Sequence, residues 1–249
     1  MNNFLKKIFI IIQARMTSSR LPGKVMLPVG PKPALQFVVE RLAPLSSIAR
    51  VIIATTDDGS EAPITALCEK LGVGYFRGDT EDVLGRYYGA ATDAGAKRGD
   101  VIVRLTSDCP LIDPDILKKT VDRFVSGGFD YVSNVEKRTY PRGLDVEVFS
   151  FESLELANSK AAEKFEREHV TAYIESTHRS EFRLGSVEDA EDNSKFRITL
   201  DEPDDYSAIC EIYKLLGYRT DFSYGELIRL LKANPYIFEM NHHVEQKKV

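Results

Sequence analysis

The chain is poor in the residues that soft-metal sites and disulfide frameworks require. Among 249 residues there are three cysteines, four histidines and no tryptophan. Cys68, Cys109 and Cys210 are far apart, form no Cys-x-x-Cys pair and share no zinc spacing with the histidines. An odd, sparse set fits a reducing compartment better than a disulfide scaffold. No apolar run approaches the length of a membrane span. The N-terminal FLKKIFIII looks superficially like a leader, but its apolar run is short and Gln13, Ala14 and Arg15 follow at once. The expected setting is the cytoplasm. With a formal net charge of -5, the chain attracts neither nucleic acid nor a membrane surface in bulk. Any anion site must be a local cluster. GxxxxGK[ST] is absent, which excludes a P-loop, and the absence of GxGxxG weakens a dinucleotide-cofactor reading. There is no fixed-period repeat and no low-complexity linker, so one domain over 1–249 is expected.

What is present is an alternation of strand and helix. Ile8 to Ile12 reads as a strand buried on both faces. PALQFVVERL, ITALCEKL and DVLGRYYGAA carry helical stripes, the last with Val83, Leu84, Tyr87 and Tyr88 inward. RVIIATT, VGYF and VIVRL read as further strands. Gly72 is a natural helix C-cap, and Asp113 with Pro114 opens another helix. This β-α rhythm with short connections implies an α/β layered fold around a mostly parallel sheet. The run from Tyr131 to about Phe149 breaks the rhythm and reads as an added hairpin or arm. FRLGSVE and FRITL then read as strands, followed by helices from Pro203 and Tyr224.

In open parallel sheets ligands sit beyond the carboxyl ends of the strands. Three such ends carry polar chemistry: Gln13 to Lys24, TSDCPLID, and LDEPDD. Arg15, Arg20 and Lys24 on the first suit a polyphosphate, with Ser18, Ser19 and backbone amides between them. Asp108 and Asp201 suit a divalent metal, and hard oxygen ligands suit magnesium. The plainer reading makes the loop a solvated turn at Pro22-Gly23, and each aspartate a helix cap before Pro110 or Pro203.

QARMTSSRLPGK resembles the signature loop of the sugar-acid cytidylyltransferases, P-A-R-x-x-S-x-R-L-P-G-K. SDCPLID is similar to their G-D-x-P-L-I segment, and LDEPDDY to D-T-P-E-D-hydrophobe. RGDTEDVLGRYY, YPRGLDVEVFSFESL and EREHVT resemble the spore-coat polysaccharide branch almost as written. The likeness runs from Ile10 to about Val244. It implies a nucleotide-diphospho-sugar transferase fold, CTP as donor, a small-molecule acceptor and a homodimer paired through an arm. By the same resemblance Arg15, Ser19, Arg20 and Lys24 bind triphosphate, Ala14 faces the base, and Asp108 and Asp201 hold magnesium. Gln13 stands for the usual Pro and Ser107 for the usual Gly. The segment that handles a keto-acid sugar is replaced by TYPRGLDVEVF, so the acceptor does not transfer.

In an extended GLDVEVF, Asp145 and Glu147 share one face while Leu144, Val146 and Val148 line the other. That acidic face suits an amine or sugar hydroxyls, and Tyr140 and Arg142 precede it. The plain alternative is an exposed polar face of an edge strand. EREHVT sets His169 on a helix start, as an acceptor-side candidate or a packing histidine. Arg86, one turn beyond Asp82, reads as a helical ion pair, although the matching family segment approaches the nucleotide. Two other classes stay open: a glycosyltransferase using DPD at Asp113 or DVE at Asp145, and a non-catalytic nucleotide-binding protein.

Overall fold

The computed structural model describes residues 6–246. Phe4 and Leu5 of the leader-like stretch lie outside the described residues. At the centre is β1 (Ile8–Gln13). Ile10 and Ile12 enter one apolar layer, Phe9 and Ile11 the other. A continuous β-branched run is what a strand covered on both faces needs.

A short hairpin, β2 (Pro28–Val29) and β3 (Lys32–Pro33), leads into α1 (Ala34–Arg41). Then follow β4 (Ala49–Thr56), α2 (Ala62–Leu71), β5 (Gly74–Gly78), α3 (Val83–Asp93), β6 (Val101–Thr106) and α4 (Pro114–Gly127). The second half supplies β7 (Tyr131–Ser133), β8 (Glu147–Ser150), α5 (Phe151–Lys160), α6 (Lys164–Glu168) and β9 (Leu184–Ser186). It ends with α7 (Pro203–Leu215), α8 (Tyr224–Ala233) and α9 (Pro235–Asn241). The seven-stranded sheet runs β5-β4-β1-β6-β8-β7-β9. Only β8 opposes its neighbours. The sheet is therefore mixed and mostly parallel. Helices α1, α2, α4, α7 and α8 cover one face, while α3 and α5 cover the other.

Local chemistry explains the boundaries. Gly72 ends α2 at φ 65°. Asp113 caps α4, its carboxylate accepting the Asp115 and Ile116 amides at 3.0 Å. The 131–149 stretch supplies β7 and β8, an antiparallel pair inside the sheet. FRITL is not a strand. It makes one bridge, Arg142 with Arg197, and the Leu200 amide donates to the Asp108 carbonyl at 2.8 Å. Its partners are the loops after β6 and β7, so it has no ladder to join. Gly143 makes this approach possible. At φ 107°, any Cβ there would stand 2.5 Å from the Ile198 carbonyl oxygen.

The chain order places β4 on one side of β1 and β6 on the other. The carboxyl ends of β1 and β6 thus form the switch point where open α/β sheets bind ligands.

Candidate active site

The loops after β1 and β6 start side by side, because the Ser107 amide donates to the Gln13 carbonyl at 3.1 Å. The first loop then folds on itself. The Ser18 and Gly23 amides both donate to the Met16 carbonyl, at 3.1 and 2.8 Å. Gly23 sits at φ 68° and starts a single helical turn over Lys24–Met26. The amides of Arg15, Met16, Thr17, Ser19 and Arg20 find no acceptor among the described residues. A loop that exposes amides beside cations is a nest for anionic oxygens.

Its walls enclose a cleft of about 220 Å³. Ala14, Arg15, Ser18, Ser19, Arg20 and Lys24 line one side. Thr106, Ser107, Asp108 and Asp201 line another, and Arg86 and Glu168 a third. All the loop and aspartate residues expected from the sequence are brought together.

Lys24 ties the two aspartates. Its ammonium donates to Asp108 Oδ2 at 2.8 Å and to Asp201 Oδ1 at 2.7 Å. Arg20 adds a 3.1 Å contact to Asp201. Burial favours the neutral form of the Asp108 carboxyl, but the Lys24 charge outweighs it and holds the pKa at about 2. Burial lowers the Lys24 pKa, and both carboxylates more than reverse that, leaving it raised. Neither aspartate caps a helix. The cap of α7 is Glu202, in a box with Asp205. Asp205, fully buried, accepts from Arg197 Nε and Asn241, each at 2.8 Å, and from the Asp201 amide at 3.1 Å. This scaffold holds the Asp201 segment in place. The spacing Glu202-x-x-Asp205 was the signal for it in the sequence.

No cluster of three or more His, Cys, Asp or Glu side chains is arranged to hold a metal among the described residues. Asp108 and Asp201 are the two able to share one, since one point already lies within 2.8 Å of an oxygen of each. Two carboxylates suit an ion that keeps waters and takes phosphate oxygens.

The acceptor-side candidates behave differently, and none lines the cleft. Tyr140 is buried, its hydroxyl accepting from Lys119 at 3.0 Å and its ring edge-on to Tyr224. Arg142 is held by backbone bonds to Phe196 and Ile198. Asp145 precedes β8 and pairs with Arg138 at 2.6 and 3.0 Å. Glu147 is 6% exposed, paired with Arg104, and accepts from Tyr131 at 3.0 Å and Thr171 at 2.6 Å. Glu147 lies on the Phe149 face of β8, in the layer covered by α3 and α5, while Asp145 precedes the strand, is partly exposed and is tied to Arg138, so the two do not form an open carboxylate pair. His169 ends α6 rather than starting a helix, packs on the Phe165 ring, and is kept neutral more easily by burial. The glycosyltransferase motifs are also occupied. Asp113 is spent on its cap and on Arg41, and Asp145 on Arg138.

Two cleft residues were missed. Glu168 lines the cleft without a hydrogen bond or ion pair among the described residues. It precedes Val170, whose φ of 53° is strained for a β-branched residue. Arg86 is buried and does not pair with Asp82, which binds Arg167 at 2.8 Å instead. Tyr88, expected inward, is only half-buried. The nearly verbatim EREHVT and DVLGRYY segments were the available signals.

A cationic nest facing two converging carboxylates, at the switch point of such a sheet, is the architecture of a nucleotidyltransferase of the nucleotide-diphospho-sugar transferase type. The cytidylyltransferase family model matches residues 9–242, and the chain belongs to that family. It is 35% identical over 238 residues to the spore coat polysaccharide biosynthesis protein SpsF of Bacillus subtilis, covering 93% of this chain and 96% of that one. A cytidylyltransferase structure from Leptospira borgpetersenii superposes with a TM-score of 0.86 at 36% identity, over 97% of this chain and 100% of that one. A CMP:2-keto-3-deoxy-manno-octonic acid synthetase complexed with CTP shares the fold, with a TM-score of 0.62 at 19% identity over 86% and 99%. Among the described residues no helix is long and apolar enough to cross a membrane.

Proposed function

We propose that this enzyme transfers CMP from CTP to a small acceptor of cell-surface or spore-coat polysaccharide synthesis, with magnesium, releasing pyrophosphate. The observation that carries the reading is the meeting of Lys24 with Asp108 and Asp201 beneath the cationic loop. CTP and the pathway are suggested by the synthetase complexed with CTP and by the similarity to SpsF. An acceptor oxygen attacks the α-phosphorus in line, and the bond to the β-phosphate oxygen breaks. Arg15, Arg20, Ser19 and the free loop amides hold the triphosphate and oppose charge growing on the leaving pyrophosphate. Asp108 and Asp201 would hold magnesium, which when bound supplies positive charge to phosphate oxygens. Lys24 exchanges its carboxylate partners for phosphate oxygens. Ala14 faces the base. A hydroxyl acceptor passes its proton to Glu168, the unpaired carboxylate of the cleft; an acceptor that is already an anion needs no base.

The test is pyrophosphate release from each of the four ribonucleoside triphosphates, with and without magnesium, across a panel of sugar acids, sugar phosphates and phosphonates. CTP-selective, magnesium-dependent release with one acceptor class supports the reading. Turnover of another triphosphate in preference to CTP would refute the donor assignment.

A further inference from the structure

Arg86 has the charge of a ligand-binding residue and the burial of a core residue. It is 2% exposed. Its Nη1 donates to the Asp79 carbonyl at 2.7 Å and the Thr80 carbonyl at 3.4 Å. Its Nε is buried with no partner, and Nη2 donates to nothing among the described residues. No carboxylate lies within ion-pair reach. A guanidinium stays charged in such a place, and Asp79 and Asp82 favour its charge only from beyond ion-pair distance.

The acids near it are engaged elsewhere: the Asp79 carboxylate accepts the Glu81 and Asp82 amides at 2.7 and 2.9 Å. Asp82, four residues earlier, caps α3 through the Gly85 amide at 2.9 Å and pairs with Arg167. A Cβ at Gly85 would fall 2.3 Å from the Asp82 carboxylate and 3.0 Å from Arg167, so glycine is needed for that pair to form. At Gly78 a Cβ would stand 3.4 Å from the Arg86 side chain. Burial and the like charge of Arg15, which lines the same cleft, act against the cation, while Asp79 and Asp82 act for it. Lys24 and Arg20 already have Asp108, Asp201 and Glu202 as counter-ions. Arg15 and Arg86 have none. Two guanidiniums facing one cleft, both unpaired, call for an anion with several oxygens.

We infer that Arg86 is a second anchor for the polyphosphate, gripping its oxygens with the unpartnered Nε and Nη2 from α3, in the cleft that the signature loop also lines. This rests on the nucleotide reading above, and it adds a contact from α3 that the loop motif does not contain. The tripolyphosphate chain, rather than the base or sugar, is what this residue recognises.

Calorimetric titration of the full-length protein with CTP, CMP and inorganic tripolyphosphate, in magnesium, tests it. Arg86→Gln should weaken CTP and tripolyphosphate about tenfold or more, the scale of a charge-assisted pair, and leave CMP within about twofold. Arg86→Lys keeps charge and bulk but loses the fork, so its losses should fall between wild type and Arg86→Gln. It also serves if the glutamine variant does not fold. Unchanged CTP and tripolyphosphate affinities in either folded variant, or equal weakening of all three ligands, would overturn the assignment and make Arg86 a packing residue. A wild type that binds tripolyphosphate but shows no preference for CTP would sink the cytidylyl reading and leave this one standing.

Discussion

Two carboxylate pairs invite comparison. Asp108 and Asp201 are far apart in the chain, yet both contact one ammonium. Asp145 and Glu147 are separated by a single residue, yet share no hydrogen-bond partner: one pairs with Arg138, the other with Arg104, Tyr131 and Thr171. The first pair lines a cleft; of the second, Glu147 is buried and Asp145 is partly exposed but tied to Arg138. Nearness along a strand places side chains on one face but does not say what covers that face. The distant pair meets because the loop after β6 and the segment before α7 converge, the Leu200 amide donating to the Asp108 carbonyl.

The comparison breaks most sharply at the open pair. Asp108→Asn and Asp201→Asn should each cut pyrophosphate release by about 10³-fold or more, since each removes charge at the reacting phosphate. The folds should survive, as read by circular dichroism. Near-normal rates in either variant would demote that aspartate to a structural role. At the closed pair the effect should fall on stability instead. Glu147→Leu strands the Arg104 cation and should cost about 3–5 kcal/mol in urea unfolding, whereas CTP affinity stays within about threefold. A large loss of CTP binding at wild-type stability would show that the network reaches the site.

Lys24 tests whether the open pair is held together by its cation. Lys24→Met should weaken CTP binding by about 1.5–3 kcal/mol, the scale of a lost charge-assisted contact, by titration calorimetry. It also changes the response to acid. With Lys24 present, the folded Asp108 carboxyl titrates below its unfolded value, so its stabilisation is complete above about pH 4 and is lost as pH falls through about 2. The stability deficit of Lys24→Met, measured at stepped pH, should therefore shrink over that window. A pH-independent deficit would place the effect in packing. The smallest change belongs to Asp145→Asn, on a partly exposed ion pair: under about 1 kcal/mol of stability and no change in CTP affinity. A strong defect in acceptor kinetics there would restore Asp145 to the acceptor side.

How far the sequence could be read follows the same division. The parallel strands were legible because β1, β4 and β6 are short apolar runs ending abruptly at polar loops. The caps at Gly72 and Asp113 were legible because capping is local chemistry. The cleft followed from a topological rule that holds at the ends of β1 and β6; the third expected end, after FRITL, joins them as a loop. FRITL failed as a strand because pairing depends on which neighbour is free, a long-range fact. Glu147 failed as an acceptor residue because α3, α5 and the turn after His169 cover it. Arg86 was obscured by its own spacing, since a carboxylate four residues before an arginine reads as an ion pair until a third residue, Arg167, takes that carboxylate.

The position of Lys24 makes the resting enzyme its own electrolyte. Lys24, with Arg20 and Arg197 on Asp201, offsets the charge of two carboxylates that would otherwise repel each other. On the magnesium reading proposed above, a divalent ion alone would compete with a tethered ammonium at very high local concentration. An ion accompanied by phosphate does not, because the displaced ammonium finds new acceptors in the same event. On that reading, loading is an exchange of partners centred on Lys24.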